Sequence, residues 1–269
     1  MKPISVSEKM LYNTVRLETR KGRGTGSFFN FKIDESIIPV IITNKHVVNH
    51  NENEEVTFFL HTKDESGEPS GNIKITYCTK WYFHKSQDLC FCFINPLIEK
   101  IKDELGKDVF YISNDESIIY NDEKLKELNA LEELVMVGYP IGIFDEKNNF
   151  PIFRKGYTAS HPAYDFNNKG IALADIACFP GSSGSPVYIL NEGGYKDKHN
   201  TTYLGSTRVV LLGYLFAGPV YNANGKLLIK EIPTQQVAMT ETPLMINLGY
   251  YIKASEILWF KQIIEQIIK

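Results

Sequence analysis

Three short segments carry side chains that could act together in covalent chemistry. Thr43-Asn44-Lys45-His46-Val47-Val48 follows the apolar run PVII, and Gln87-Asp88-Leu89-Cys90-Phe91 opens a second apolar run. Phe179-Pro180-Gly181-Ser182-Ser183-Gly184-Ser185-Pro186-Val187 lies between two more. A serine hydroxyl is a weak nucleophile at neutral pH and needs a base within hydrogen-bond reach, itself oriented by a third group. Histidine titrates near neutrality, and a carboxylate on its other ring nitrogen fixes the tautomer and stabilises the imidazolium. His46, Asp88 and Ser183 are therefore a candidate set for acyl transfer. Gly181 and Gly184 let the chain turn tightly, so amide N–H groups can converge beside Ser183 on a developing oxyanion.

Rival residues are weaker. His50 sits in the polar loop NHNENEE, and His61, His84, His161 and His199 read as surface or loop residues. The four cysteines, Cys78, Cys90, Cys92 and Cys178, form no CxxC pair, so a zinc or thioredoxin-type site has little support. Cys90 and Cys92 share a strand face and are poorly placed to bridge each other. The thiols read as reduced and buried, the protein as cytoplasmic, and no metal or cofactor is implied.

The elements that must position these segments are mostly strands. Expected strands are PVIIT (39–43), EVTFFL (55–60), IKITYC (73–78), DLCFCFI (88–94), ELVMVGY (133–139), GIALADI (170–176), SPVYIL (185–190), VVLLGYLFAG (209–218) and MINLGYYI (245–252). Each is rich in β-branched or aromatic residues, and the repetition predicts a sandwich or barrel. Polar stretches such as HTKDESGEPSGN (61–72) and NEGGYKDKHN (191–200) read as loops. Residues 99–133 are charge-rich, and EKLKELNALEEL (123–134) has leucines three apart, which predicts a short helix in a connection. SEILWFKQIIEQIIK (255–269) predicts a C-terminal helix, N-capped by Ser255, that docks a stripe of Ile257, Leu258, Phe260, Ile263, Ile264, Ile267 and Ile268 on the core.

Composition narrows the function classes. The 269 residues suffice for one large domain or two small ones, and 43% hydrophobic residues exclude a wholly disordered chain. With 29 Lys and Arg against 32 Asp and Glu, the net charge of −3 argues against nucleic acid or an anionic membrane as partner. No apolar run reaches the roughly 20 residues of a membrane-spanning helix. The N-terminal MKPISVSEKMLYN lacks the apolar core of a secretory signal.

TNKHVV, DLCFCFI and PGSSGSPV resemble, in order, the His, Asp and Ser motifs of the trypsin-like (chymotrypsin-fold) serine peptidases. Within that family the pattern is most similar to the bacterial, disulfide-free HtrA-type and glutamyl endopeptidase groups. GRGTGSFF (22–29), MVGYPIG (136–142), RKGYTAS (154–160) and LLGYLFAG (211–218) extend the resemblance over nearly the whole chain. The resemblance implies an all-β fold of two six-stranded antiparallel β-barrels with a C-terminal α-helix. The barrels would span residues 1–98 and 134–254, joined by the connection 99–133, with the helix at 255–269; no PDZ segment follows. Ser183 would be the nucleophile, His46 the general base and acid, Asp88 the orienting carboxylate, and the Gly181 and Ser183 amides the oxyanion hole. The expected activity is serine endopeptidase, acting on protein or peptide substrates through an acyl-enzyme.

Departures from the family shape further expectations. Ser182 stands where the animal digestive members carry the Asp that receives a new N-terminus, and no IVGG-like segment is present, so zymogen cleavage is not expected. Ala177, six residues before the nucleophile, would form an uncharged pocket floor, with Cys178, Leu215, Phe216, Ala217 and Gly218 as pocket residues. Leu215 stands where the glutamyl endopeptidases have His. The expected preference is for small or medium apolar side chains before the scissile bond. The other class of reading is a latent or inactive protease-fold binding module controlled by a regulatory partner, with loops 61–72, 143–153 and 191–203 as candidate covers.

Overall fold

A computed structural model describes residues 2–226, 239–245 and 247–268. Ile246 and Lys269, parts of the expected last strand and helix, lie outside the described residues. The first half builds a nine-stranded sheet, with main order Pro69–Cys78, Glu55–Lys63, Thr14–Glu18, Arg23–Ile33, Ser36–Thr43, Cys90–Phe93 and Tyr82–Phe83. Two short strands, Asp108–Phe110 and Asn114–Asp115, join it from outside this path, the latter pairing in parallel with Arg23–Ile33. The second half closes into a six-stranded antiparallel barrel: Glu133–Gly138, Ile152–Thr158, Ile171–Asp175, Leu248–Lys253, Arg208–Ala217 and Pro186–Asn191.

Alternation along the strands explains why the apolar runs are continuous. Successive side chains point to opposite faces, and here each face has a core of its own. Val40 and Ile42 enter a central core shared by both halves, while Ile41 enters the core of the first half. Val135 and Val137 likewise face the central core, and Leu134 and Met136 the core of the second half. Tyr188 joins the central core between Val187 and Ile189, which face the barrel interior. A strand buried on both faces must be apolar throughout. At about 1.5–3 kcal/mol per large buried side chain, the central core of Phe29, Phe31, Phe91, Tyr188, Tyr214 and Phe260 binds the halves into one body.

Several elements differ from expectation. Asn95–Leu105 is a helix, burying Leu97 and Ile101 four residues apart and ending on left-handed Gly106. The helix expected over 123–134 is only Asp122–Lys126, because Glu132 is needed elsewhere: it pairs with Arg208 in a buried salt bridge beside the next strand. HTKDESGEPSGN is mostly strand, closed by a turn in which Asp64 Oδ1 accepts the Ser66 and Glu68 N–H groups. The 191–203 stretch carries a hairpin, Gly194–Lys196 with Thr202–Leu204, tied to the connection between the halves by Lys198 on Glu127. The C-terminal segment opens as a 3-10 turn, Ala254–Trp259, before the α-helix Phe260–Ile268, and Ser255 does not cap it. Ile257, Phe260 and Ile264 are buried, whereas Leu258, Ile267 and Ile268 are exposed. All four cysteines are free, but Cys78 is exposed rather than buried. No helix among the described residues is long and apolar enough to cross a membrane.

Two histidines read as surface residues are buried. His61 lies edge-on to Tyr12 at 4.7 Å, and His84 lies 4.7 Å from Trp259, also edge-on. Desolvation pushes both down to about 4, and Lys45 and Lys85 add to the effect at His84. The unfolded chain protonates these groups near pH 6.5, and the folded chain does so only near 4. Their contribution is therefore intact above pH 6.5 and declines as pH falls toward 4, by up to about 1.4 kcal/mol per pH unit for each. Urea unfolding should show lower stability at pH 5 than at pH 7, with a shallower decline in His61→Phe; equal slopes for the two proteins contradict the assignment.

Candidate active site

His46 leaves the strand Ser36–Thr43 in a tight turn. Val47 N–H donates to the Asn44 carbonyl at 3.2 Å, and buried Val47 and Val48 root the turn in the first-half core. Asp88 lies in the turn between Tyr82–Phe83 and Cys90–Phe93. The Nδ1 atom of His46 is 2.5 Å from Asp88 Oδ2, and the His46 backbone N–H donates to Oδ1 at 3.2 Å. Asn44 Nδ2 donates to the Asp88 carbonyl at 2.7 Å. The two segments are thus tied by side chain and backbone, so imidazole and carboxylate hold a defined mutual orientation.

Ser183 comes from the opposite half. Its carbonyl accepts the Thr25 N–H at 2.8 Å, across the seam between the halves. Gly24, on the same strand, shows how close the approach is. A Cβ there would sit 2.6 Å from Val47 Cγ2 and 3.2 Å from the Ser183 carbonyl. One glycine therefore separates the residue after His46 from the backbone of Ser183. The structure pairs His46 with Asp88 and sets the Ser183 backbone near the turn that carries His46. No hydrogen bond joins Ser183 Oγ to His46 among the described residues.

The turn around Ser183 disposes of its backbone groups selectively. The N–H groups of Ser182, Gly184 and Ser185 donate to the carbonyls of Phe179, Leu215 and Ser182. Those of Gly181 and Ser183 meet no acceptor among the described residues, which leaves two neighbouring donors for an anion. The Pro180 carbonyl is held away by Ile141 N–H at 2.5 Å, and the Gly181 carbonyl accepts from Thr25 Oγ1 at 3.2 Å. Gly181 and Gly184 have φ of 93° and 82°, the left-handed region in which a side chain is strained. A Cβ at Gly184 would also lie 1.9 Å from the Thr25 carbonyl. The Ser182 hydroxyl accepts from Phe179 N–H at 3.4 Å, so this buried position is served within the turn.

Thr25 escaped the sequence reading. Fully buried, it donates to Ser183 through its N–H, accepts from Thr43 Oγ1 through its carbonyl, and bonds Gly181, Tyr139 and Ser185 through its hydroxyl. The signal was the G-T-G run, since small residues within a strand mark close backbone approach. Of the six pocket candidates, Cys178 and Leu215 are buried in the barrel core, and burial pushes the Cys178 thiol up to about 12. Gly249 leaves room for them: a Cβ there would lie 2.6 Å from both Cys178 Sγ and Leu215 Cδ1. Ala177, Phe216 and Gly218 are half-buried and Ala217 exposed. Arg154, also unforeseen, donates through Nε to the Ala177 carbonyl at 3.3 Å and stacks over Phe179. Among the described residues no group of three or more His, Cys, Asp or Glu converges as a metal site.

A family model described as a trypsin-like peptidase domain matches residues 24–194, a span that includes all three candidates. No curated protein matches the chain in sequence. Similar solved structures include an inactive form of the Mycobacterium tuberculosis protease Rv3671c, 13% identical, covering 98% of each chain at a TM-score of 0.48. A serine-to-alanine mutant of Rv3671c, also in an inactive form, is 13% identical, covering 97% of this chain and 90% of that one at 0.46. The scabies mite inactivated protease paralogue S-I1 is 12% identical, covering 96% of each chain at 0.48.

Thr25→Val keeps the shape but strands the Gly181 carbonyl and the Tyr139 amide. At about 1–3 kcal/mol for each buried group left unsatisfied, urea unfolding should show a clear loss of stability. An unchanged unfolding midpoint contradicts the role given to this hydroxyl.

Proposed function

Because the chain belongs to the trypsin-like peptidase domain family, we propose that it is a serine endopeptidase with Ser183 as nucleophile, His46 as base and Asp88 as orienting carboxylate. The observation that carries this reading is the His46–Asp88 hydrogen bond, set beside a serine whose turn leaves two amides unspent. Ser183 Oγ attacks the substrate carbonyl as its proton passes to His46 Nε2. Asp88 accepts the Nδ1–H and stabilises the imidazolium, while the Gly181 and Ser183 amides receive the oxyanion. His46 then protonates the leaving amine, giving an acyl-enzyme. Water, deprotonated by His46, attacks the ester and releases the acid, with the proton returning to Ser183.

The locally satisfied Ser182 supports activity without insertion of a new N-terminus, since no buried carboxylate awaits an ammonium there. Four free thiols support a reducing, cytoplasmic setting. The preference before the scissile bond is for small or medium apolar side chains, because Ala177 offers no charge. Arg154 beside that carbonyl makes an acidic residue the natural competitor. A second reading, a latent enzyme switched by a regulatory partner, is favoured by one observation: the Ser183 hydroxyl is not engaged with His46.

Ser183→Ala should lower turnover by a factor on the order of a million, and Asp88→Asn by roughly ten thousand, without unfolding. Labelling by a fluorophosphonate that requires both Ser183 and His46 supports the enzyme; its absence from folded protein, alone and in lysate, sinks it. In a peptide library, cuts should follow small or medium apolar residues, and cutting chiefly after Arg, Lys or Glu overturns the stated preference.

A further inference from the structure

The turn that carries Asp88 is folded around a second imidazole. His84 Nδ1 accepts the backbone N–H of Ser86 at 3.2 Å and that of Gln87 at 2.9 Å. Its own backbone N–H closes the turn on the Leu89 carbonyl at 2.9 Å. A ring nitrogen that accepts two amides must be unprotonated, so the hydrogen of neutral His84 resides on Nε2. That edge faces Glu256 of the C-terminal segment, with 3.7 Å between Nε2 and Oε2. Trp259 and Phe260 meet the ring edge-on at 4.7 and 5.7 Å and exclude water from it. Lys45, Lys85 and Glu256 are the charged groups around it, and the lysines together with desolvation keep it neutral.

On the other side of the turn, Asn44 Nδ2 holds the Asp88 carbonyl and the His46 N–H its Oδ1. Gln87 Nε2 reaches across to the Lys169 carbonyl at 3.0 Å, and a Cβ at Gly170 would collide with both Gln87 Nε2 and Glu256 Oε1. The three residues before Asp88 are therefore clasped between the His84 lone pair and a surface made by Lys169, Gly170 and Glu256. Among the described residues no ladder hydrogen bond of the sheet holds the Ser86 and Gln87 amides; the imidazole does it instead.

We propose that His84 is a positioning residue, whose Nδ1 lone pair sets the backbone of the 85–88 turn and thereby aims the Asp88 carboxylate at His46. The inference rests on the reading of Asp88 as the orienting carboxylate. It makes the C-terminal helical segment part of the active-site scaffold, since Glu256, Trp259 and Phe260 hold the ring in place. His84 itself touches no reacting atom.

Asparagine and glutamine separate this role from simple filling of space. Asn at 84 places an acceptor oxygen near the position of Nδ1, whereas Gln presents its amide near the position of Nε2. His84→Asn should keep kcat within about threefold, and His84→Gln should lose about 10- to 100-fold in kcat with KM little changed, the scale of a misplaced reacting group. The second readout needs no turnover: the low-field proton resonance of the His46–Asp88 hydrogen bond should persist in His84→Asn and weaken or shift in His84→Gln. Equal behaviour of two folded variants, in kcat and in the resonance, overturns the proposal. If His84→Gln does not fold, His84→Leu, which has no acceptor, takes its place: loss of kcat and resonance there, against their retention in His84→Asn, supports the proposal, and equal behaviour of the two folded variants overturns it. A wild-type protein without turnover would count against the endopeptidase reading, while the resonance would still report on His84.

Discussion

The site depends on one backbone contact between the halves: the Thr25 N–H on the Ser183 carbonyl, with the Thr25 hydroxyl on Gly181. Neither half alone could hold Ser183, His46 and the two unbonded amides of Gly181 and Ser183 together. The first half supplies His46 and Asp88, the second supplies Ser183, and Thr25 fixes the distance at which they meet. Such a contact needs small residues on both sides, which accounts for Gly24, Gly138 and Gly184. A Cβ at Gly138 would stand 1.9 Å from Ser185 Oγ, and one at Gly184 the same distance from the Thr25 carbonyl. The central core behind it, with Phe29, Phe91, Tyr188 and Phe260, keeps the seam closed. Because strands on both sides of the seam are apolar on two faces, the halves cannot be parted without exposing aromatic surface.

Much of this was legible in the amino-acid order. The three motifs carry their chemistry in residue type, and the double-faced strands announce themselves as unbroken apolar runs. What stayed hidden depends on tertiary partners. His84 reads as a loop residue because nothing local shows that Trp259 and Phe260, far along the chain, will cover it. Helix Asn95–Leu105 hides because its inward face is only Leu97, Ile98 and Ile101 among charged neighbours. The leucine series at 125, 128, 131 and 134 overstates its helix: Leu125 and Leu128 are buried, Leu131 is 67% exposed, and Leu134 already belongs to a strand. A three-residue spacing drifts off one helical face within two turns, and the chain uses the next residues to seat Glu132 against Arg208 instead.

The same division holds for the site. The segments offer His46, Asp88 and Ser183 as candidates, but the residues that hold those segments in place could not be named from them. Thr25 acts through backbone atoms and a hydroxyl, and His84 through a lone pair directed at the main chain; neither leaves a motif. Arg154 belongs to this group as well, since its guanidinium reaches the Ala177 carbonyl only after the barrel has closed. These supports distinguish a turn that merely contains a serine from one in which the Gly181 and Ser183 amides remain free.

If Ser183 is the nucleophile and His46 its base, a substrate leaves its acyl group on Ser183 only when His46 is present. The most direct measurement is intact-mass spectrometry of the full chain mixed with an activated ester under acidic quench, followed by peptide mapping. The expected result is one acyl group per chain, located on Ser183, and none in His46→Ala. An acyl group on another residue, or equal labelling without His46, would contradict it.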